Sequence, residues 1–176
     1  MIYLGLDIST SCIGMALLNE NKELLKETCL RLDKAPYKTY SFYEKLEAFR
    51  GFLLEFVEGC KVDCAVVEQA LGGHGRTSAQ IIQKLARFNG ACRYIVYSEL
   101  GIVPEEIHPS TVKARVKLKV PKGCCKKTET LKLITELYPQ FTYGLTRSGN
   151  PEKGSDDRAD AIMTALGFII LQENSK

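Results

Sequence analysis

Histidine is nearly missing from this sequence: His74 and His108 are the only two among 176 residues. That leaves little material for a histidine-based nucleophile site or zinc cage. Long apolar runs are also missing. No stretch approaches the ~18 apolar residues that span a bilayer, so no membrane segment is expected. The opening MIYLGLDIST sets an acid within a short apolar run and has no basic leader. It is not read as a signal peptide, and the mature chain is expected to start at Met1. Nor is there a large excess of either charge. Lys and Arg number 24 and Asp and Glu 21, a net charge of +3, which excludes a histone-like polycation and an acidic disordered chain. With 45% apolar residues, the chain can bury a core without disulfides or metals, and one domain over 1–176 is expected.

The seven cysteines are Cys12, Cys29, Cys60, Cys64, Cys92, Cys124 and Cys125. An odd number, scattered and mostly within apolar runs, fits reduced thiols in a cytoplasmic compartment. Cys60 and Cys64 with Cys124 and Cys125 suggest two ligand pairs, but a zinc site often has a histidine nearby as well. Buried or half-buried thiols are the expectation.

Three short apolar runs, 2–8, 13–18 and about 24–32, follow one another with tight connections and read as an antiparallel meander. Phe42, Leu46, Phe49, Leu53 and Phe56 predict a helix over about 39–58, stopped by Gly59. A β-branched strand over 62–67 ends at Glu68. A helix capped by Ser78 follows, with Ile81, Ile82, Leu85, Phe88 and Cys92 on one side. A strand over 102–107, a short helix from about Val112, a loop over 117–127 and a helix ended by Pro139 come next. After a loop over 142–155, the one candidate for a mobile insert, Ser155 is expected to cap the last helix. The order predicts an α/β domain with a mixed sheet and helices packed against it.

Four acids stand where folding alone would not put them. Asp7 interrupts the first apolar strand, and Glu68 ends the fourth. A buried carboxylate costs several kcal/mol (roughly) unless it is paired or binds a cation. Asp157 and Asp160 are three apart on the first turn of the last helix and share a face. Each alone has an ordinary explanation, such as a turn cap or the helix dipole. As a set, brought together by strand pairing and a packed helix, they cannot all stay ionised without a counter-charge. Two hard divalent cations would supply it, as in phosphodiester hydrolysis.

The bases are concentrated. Between Lys113 and Lys132 lie Lys113, Arg115, Lys117, Lys119, Lys122, Lys126, Lys127 and Lys132 against Glu129 alone, or +7. The rest of the chain holds sixteen bases and twenty acids, or −4. Such a run is a solvated surface or a phosphate-holding one. After Glu68, Gly72, Gly73 and Gly75 permit close backbone approach, and Arg76 can reach a phosphate; a flexible turn is the alternative.

GLDIS-x-x-x-x-G-x-A at 5–16, VVEQ at 66–69, P-S-x-V-K at 109–113 and DDRADAI at 156–162 occur in the order of a known family. Together they resemble the RuvC-type Holliday junction resolvases of phages and other viruses, within the RNase H-like nucleases. The resemblance implies an RNase H-like fold: a mixed five-stranded sheet, antiparallel meander plus parallel strands, with helices on both faces. It implies metal-binding and catalytic acids at Asp7, Glu68, Asp157 and Asp160, with Asp156 left out. Basic residues near the scissile phosphate would be Lys113 and Lys126 or Lys127. Two Mg²⁺ ions per site, replaceable by Mn²⁺, a branched-DNA substrate and a homodimer are likewise implied. So is the cytoplasm of a bacterium or a virus-infected cell. The helix from about 78 to 96 is the candidate dimer interface, because it is apolar on more than one side. Bacterial members carry an aromatic three positions after the catalytic Glu, where Leu71 stands here.

An RNase H or a flap or branched-DNA nuclease of the same fold is the alternative. DISTSCIG also resembles the phosphate hairpin of actin-like ATPases and sugar kinases. Those need two lobes, more than one domain supplies, and no nucleotide cofactor is expected.

Overall fold

The computed structural model describes residues 1–69 and 78–174. Leu71, Arg76 and the glycine-rich stretch at 72–75 lie outside the described residues. The expected meander is formed by β1 (Ile2–Ile8), β2 (Cys12–Asn19) and β3 (Leu24–Arg31). Helix α1 (Phe42–Val57) leads to β4 (Cys64–Glu68), and α2 (Ala79–Leu100) to β5 (Glu105–Ile107). Three helices follow: α3 (Pro109–Arg115), α4 (Lys126–Leu137) and α5 (Ser155–Glu173). The five strands are ordered β3-β2-β1-β4-β5, with β1, β4 and β5 parallel. Among the described residues, no helix is long and apolar enough to cross a membrane.

Strand alternation divides the core in two. Leu4, Leu6, Ile13, Met15, Leu17, Ala65 and Val67 pack with Phe49, Leu53, Phe88 and Cys92 of α1 and α2. On the opposite face, Tyr3, Ala16, Leu18 and Val66 pack with residues of α3, α4 and α5. Helices therefore cover both faces, as expected. Interior β2 is buried along almost its whole length, so CIGMALLN reads as a continuous apolar run. Edge strand β3 carries Lys26, Glu27 and Arg31.

Helix α5 lies between the sheet and the α3–α4 pair and is buried on all sides from Ala161 to Ile169. Two glycines set how close it comes. A Cβ on Gly5 would lie 2.3 Å from the Ala161 carbonyl oxygen, and one on Gly14 2.0 Å from that of Asp157. The helix backbone thus rests directly on the strand backbones of β1 and β2.

Several boundaries differ from the sequence reading, each for a local reason. Helix α1 starts at Phe42 rather than 39, because Ser41 and Glu44 form a reciprocal capping box. Helix α3 starts at Pro109 rather than near Val112. Proline suits the first turn, and the His108 ring accepts from the Ser110 amide. Ser155 does not cap α5: Gly154 holds that place with φ +94°, and Ser155 is already inside the helix and buried. Glycine is required there because a Cβ would lie 2.6 Å from Cys29 Sγ. The 142–155 loop is tied internally, with the Thr146 amide donating to the Asn150 carbonyl (2.7 Å) and the Glu152 amide to that of Gly144 (2.9 Å).

Gly14→Ala should destabilise the fold by about 1–3 kcal/mol through overpacking against α5. Gly51→Ala, at an exposed position of α1 with nothing within 4 Å of the new Cβ, should stabilise it by about 0.5–1 kcal/mol. Urea unfolding of both variants checks the contrast; equal midpoints would mean that Gly14 does not set the contact.

Candidate active site

Asp7 is the next-to-last residue of β1, and Glu68 the last of β4. The parallel register pairs Leu6 with Val67, so its continuation sets Asp7 beside Glu68. Both lie on the sheet face that turns toward α5, opposite Leu6 and Val67. Asp7 pairs on its other side with Gly14. Since Gly14 admits the first turn of α5, Asp157 and Asp160 arrive over the same end of the sheet.

The acids influence one another's ionisation. Burial, followed by Asp160, Glu68 and Asp157, holds the Asp7 carboxyl well above the usual carboxylate range, with Lys126 opposing. Glu68 is raised by burial and by Asp160, against Lys126 and Lys113. Asp160 is raised by burial, opposed by Lys126, and raised further by Asp156 and Asp157. Asp157 is raised by burial and by Asp156, while a hydrogen bond with the Cys12 thiol and the charge of Lys127 pull it down. These acids repel one another across a poorly solvated space.

Two lysines of α4 partly balance them. Lys126 Nζ is 3.8 Å from Asp160 Oδ2, and Lys127 pairs with Asp156. Asp156, left out of the expected set, is therefore the cluster's outer member and is held by a cation. Asp7 and Glu68 also line a hollow of about 230 Å³ with Ser9, Leu85, Asn89 and Pro109. The amide of Asn89 gave no sign in the sequence, whereas Leu85 was expected on the apolar side of α2 and Pro109 opens the P-S-x-V-K element.

Arg158 was also missed. It donates to Glu27 Oε1 (2.8 Å) and to the Thr142 carbonyl (2.9 Å), and its guanidinium lies 5.0 Å from the Phe141 ring centroid. It fastens the first turns of α5 to β3 and to the segment after α4. Its main partner is 131 residues away, a separation that no local pattern encodes.

The +7 run does not form one patch. Lys113, Lys126 and Lys127 act on the acids. Arg115 and Lys117 instead line a groove with Lys22, Leu166 and Ile170, toward the other end of α5. Lys119 and Lys122 are exposed in the segment between α3 and α4. A seven-residue helix turns successive bases to different sides, which a charge count cannot show. Arg76 lies outside the described residues.

A divalent cation fits the donor set, although no three His, Cys, Asp or Glu side chains among the described residues converge tightly enough to hold one as they stand. Asp160 Oδ1 is buried with no hydrogen-bond partner. The donors are carboxylate oxygens, the hard ligands that Mg²⁺ prefers. An added cation would satisfy the orphaned oxygen and relieve the repulsion that, after burial, raises Asp7. Five of the seven cysteines are buried or half-buried as expected, whereas Cys124 and Cys125 are exposed on the segment before α4.

No family model matches this chain, and no curated protein matches it. Solved structures do. T. thermophilus RuvC in complex with a Holliday junction substrate is similar with a TM-score of 0.70 at 16% identity, over 99% of this chain and 96% of that one. The yeast mitochondrial Holliday junction resolvase gives 0.63 at 15% identity, over 97% and 78%. Fowlpox virus resolvase, in complex with Holliday junction DNA, gives 0.51 at 15% identity over 100% of both chains. The chain has the RNase H-like fold in the form found in the RuvC-type resolvases.

Proposed function

We propose that this protein is a metal-dependent endonuclease that resolves four-way DNA junctions by paired phosphodiester hydrolysis. The observation that carries the reading is that Asp7 at the end of β1 and Glu68 at the end of β4 line one hollow, at the end of the sheet where the first turns of α5 bring Asp157 and Asp160. The whole-length likeness to resolvases whose structures contain junction DNA supports the choice of substrate.

Asp7, Glu68, Asp157 and Asp160 would hold two Mg²⁺ ions, with Mn²⁺ able to substitute. Bound there, the ions supply Lewis-acid activation of water and neutralise charge on the phosphodiester. The chain's own groups prepare the rest. Lys113 and Lys126 give positive charge for the substrate phosphate, Leu85 and Pro109 restrict water on one side, and Arg158 keeps α5 in place. A homodimer suits the approximate two-fold symmetry of a junction that is cut twice. Within the candidate interface over about 78–96, we assign the contact to exposed Tyr94 with Gly90 in the second half of α2. A one-chain mass in sedimentation equilibrium would refute the dimer.

With Mg²⁺ or Mn²⁺ the protein should cut synthetic four-way junctions in opposite strands, whereas Asp7→Asn should bind without cutting. Equal cleavage of linear duplex would overturn the assignment, and cleavage confined to RNA–DNA hybrids would favour an RNase H. Lys126→Ala with Lys127→Ala should weaken junction binding and flatten its log–log salt slope by about two.

The metal-free protein should show a distinct pH dependence. Folded-state values above the unfolded ones mean that these acids stabilise the fold fully below their ordinary range, near about 4. That stability is lost as pH rises through the raised values. Metal-free Asp7→Asn should therefore melt above the wild type at neutral pH and gain little from added Mg²⁺. A variant melting point below the wild type would refute the repulsion account.

A further inference from the structure

The opposite sheet face carries a second basic surface at the same end of the molecule. Strand β3 finishes there, since Arg31 pairs with Cys12 and Gly14 pairs with Asp7. The chain continues as Lys34–Lys45, KAPYKTYSFYEK, into the start of α1. This segment holds three lysines, three tyrosines, a phenylalanine and one acid, Glu44, which is occupied in capping α1. Lys34 and Lys38 are exposed, and Tyr43 is 74% exposed. Tyr37 and Tyr40 form an edge-to-face pair with ring centroids 5.4 Å apart.

Beside it, between the N-terminal halves of α1 and α2, is a hollow of about 350 Å³ lined by Phe42, Gln80, Gln83, Lys84 and Arg87. Phe42 is braced edge-on by Phe88 at 5.8 Å, and the Arg87 guanidinium lies 5.6 Å from its ring centroid. The lining contains two cations and no acid. Among the described residues neither Lys84 nor Arg87 has an ion-pair partner.

We propose that this surface binds single-stranded DNA, with one unpaired base seated in the hollow and a neighbouring base stacked on Tyr43. The proposal rests on the nuclease reading for its choice of nucleic acid. The size suits a small planar ligand. Phe42 and Arg87 offer faces for stacking, Gln80 and Gln83 offer amides to base edges, and Lys84 with the segment lysines offers charge to phosphates. An intact duplex hides its base faces, so exposed rings add little to duplex binding. On a single strand each stacked base is worth about 1–3 kcal/mol. The crossover of a branched DNA, where bases leave their stacks, supplies such a strand close to the carboxylate end of the sheet.

The test is fluorescence anisotropy of a labelled oligothymidylate with the full chain in EDTA, which uncouples binding from cleavage. Wild type should bind, and Tyr43→Ala and the Lys84→Ala/Arg87→Ala double variant should each bind about tenfold more weakly. Tyr43→Phe, which keeps the ring, should bind like wild type. Affinity for a blunt linear duplex should fall less than twofold with Tyr43→Ala. Failure of wild type to bind oligothymidylate overturns the proposal, while continued junction cleavage leaves the nuclease reading standing. Oligothymidylate binding by a protein that cuts no junction does the reverse. Equal loss with Tyr43→Phe would overturn stacking, and a changed oligomeric mass with unchanged oligothymidylate affinity would assign the surface to protein contact instead.

Discussion

Everything at the carboxylate end depends on one contact, that of the α5 backbone with the strands at Gly5 and Gly14. A helix packed on a sheet through ordinary side chains stands about 10 Å away (roughly). Here the missing Cβ atoms allow backbone against backbone, and Ala161 and Ala165 face Gly5 from the helix side. The helix acids can then lie over the end of the sheet that carries the strand acids. The helix N-terminus also favours nearby negative charge, which partly offsets the cost of Asp156 and Asp157 in its first turn.

That proximity opposes folding in the absence of a cation. Burial and mutual repulsion raise four carboxyls, and the lysines of α3 and α4 answer only in part. Elsewhere the fold compensates. Arg158 anchors α5 to β3, and Lys22 pairs with Glu173 (2.7 Å) at the helix's other end. Two hydrophobic clusters, one on each sheet face, hold the sheet between them. The rigid parts lie around the acids, and the electrostatic strain is confined among them.

Much of this was legible because it is written in periodicity. The meander and the stripe of α1 follow from alternation and helical spacing, and Asp7 and Glu68 were visible as charges in runs otherwise fit for burial; the burial of α5 on all sides shows only in the fold. The capping box at Ser41 and Glu44 was equally readable, and its neglect moved the start of α1. Other features have no local signature. The Arg158–Glu27 pair, the thiol of Cys12 against Asp157 and the place of Asn89 arise only when distant segments meet. The +7 run shows the opposite error, since closeness in sequence suggested a single patch that the turn of α3 divides. Of the aromatic residues of 37–43 only Phe42 falls on a helix stripe, so periodicity gives no sign of the exposed ring of Tyr43 beside it.

The acids come from far apart in the chain: residue 7, residue 68, and residues 157 and 160 on the last helix. A domain generally folds as a unit, and α5 supplies core residues as well as acids, through Ala161, Ile162 and Ala165. Removing α5 would strip Gly5 and Gly14 of the backbone that covers them and open one face of the sheet. The acids and the core therefore stand or fall together.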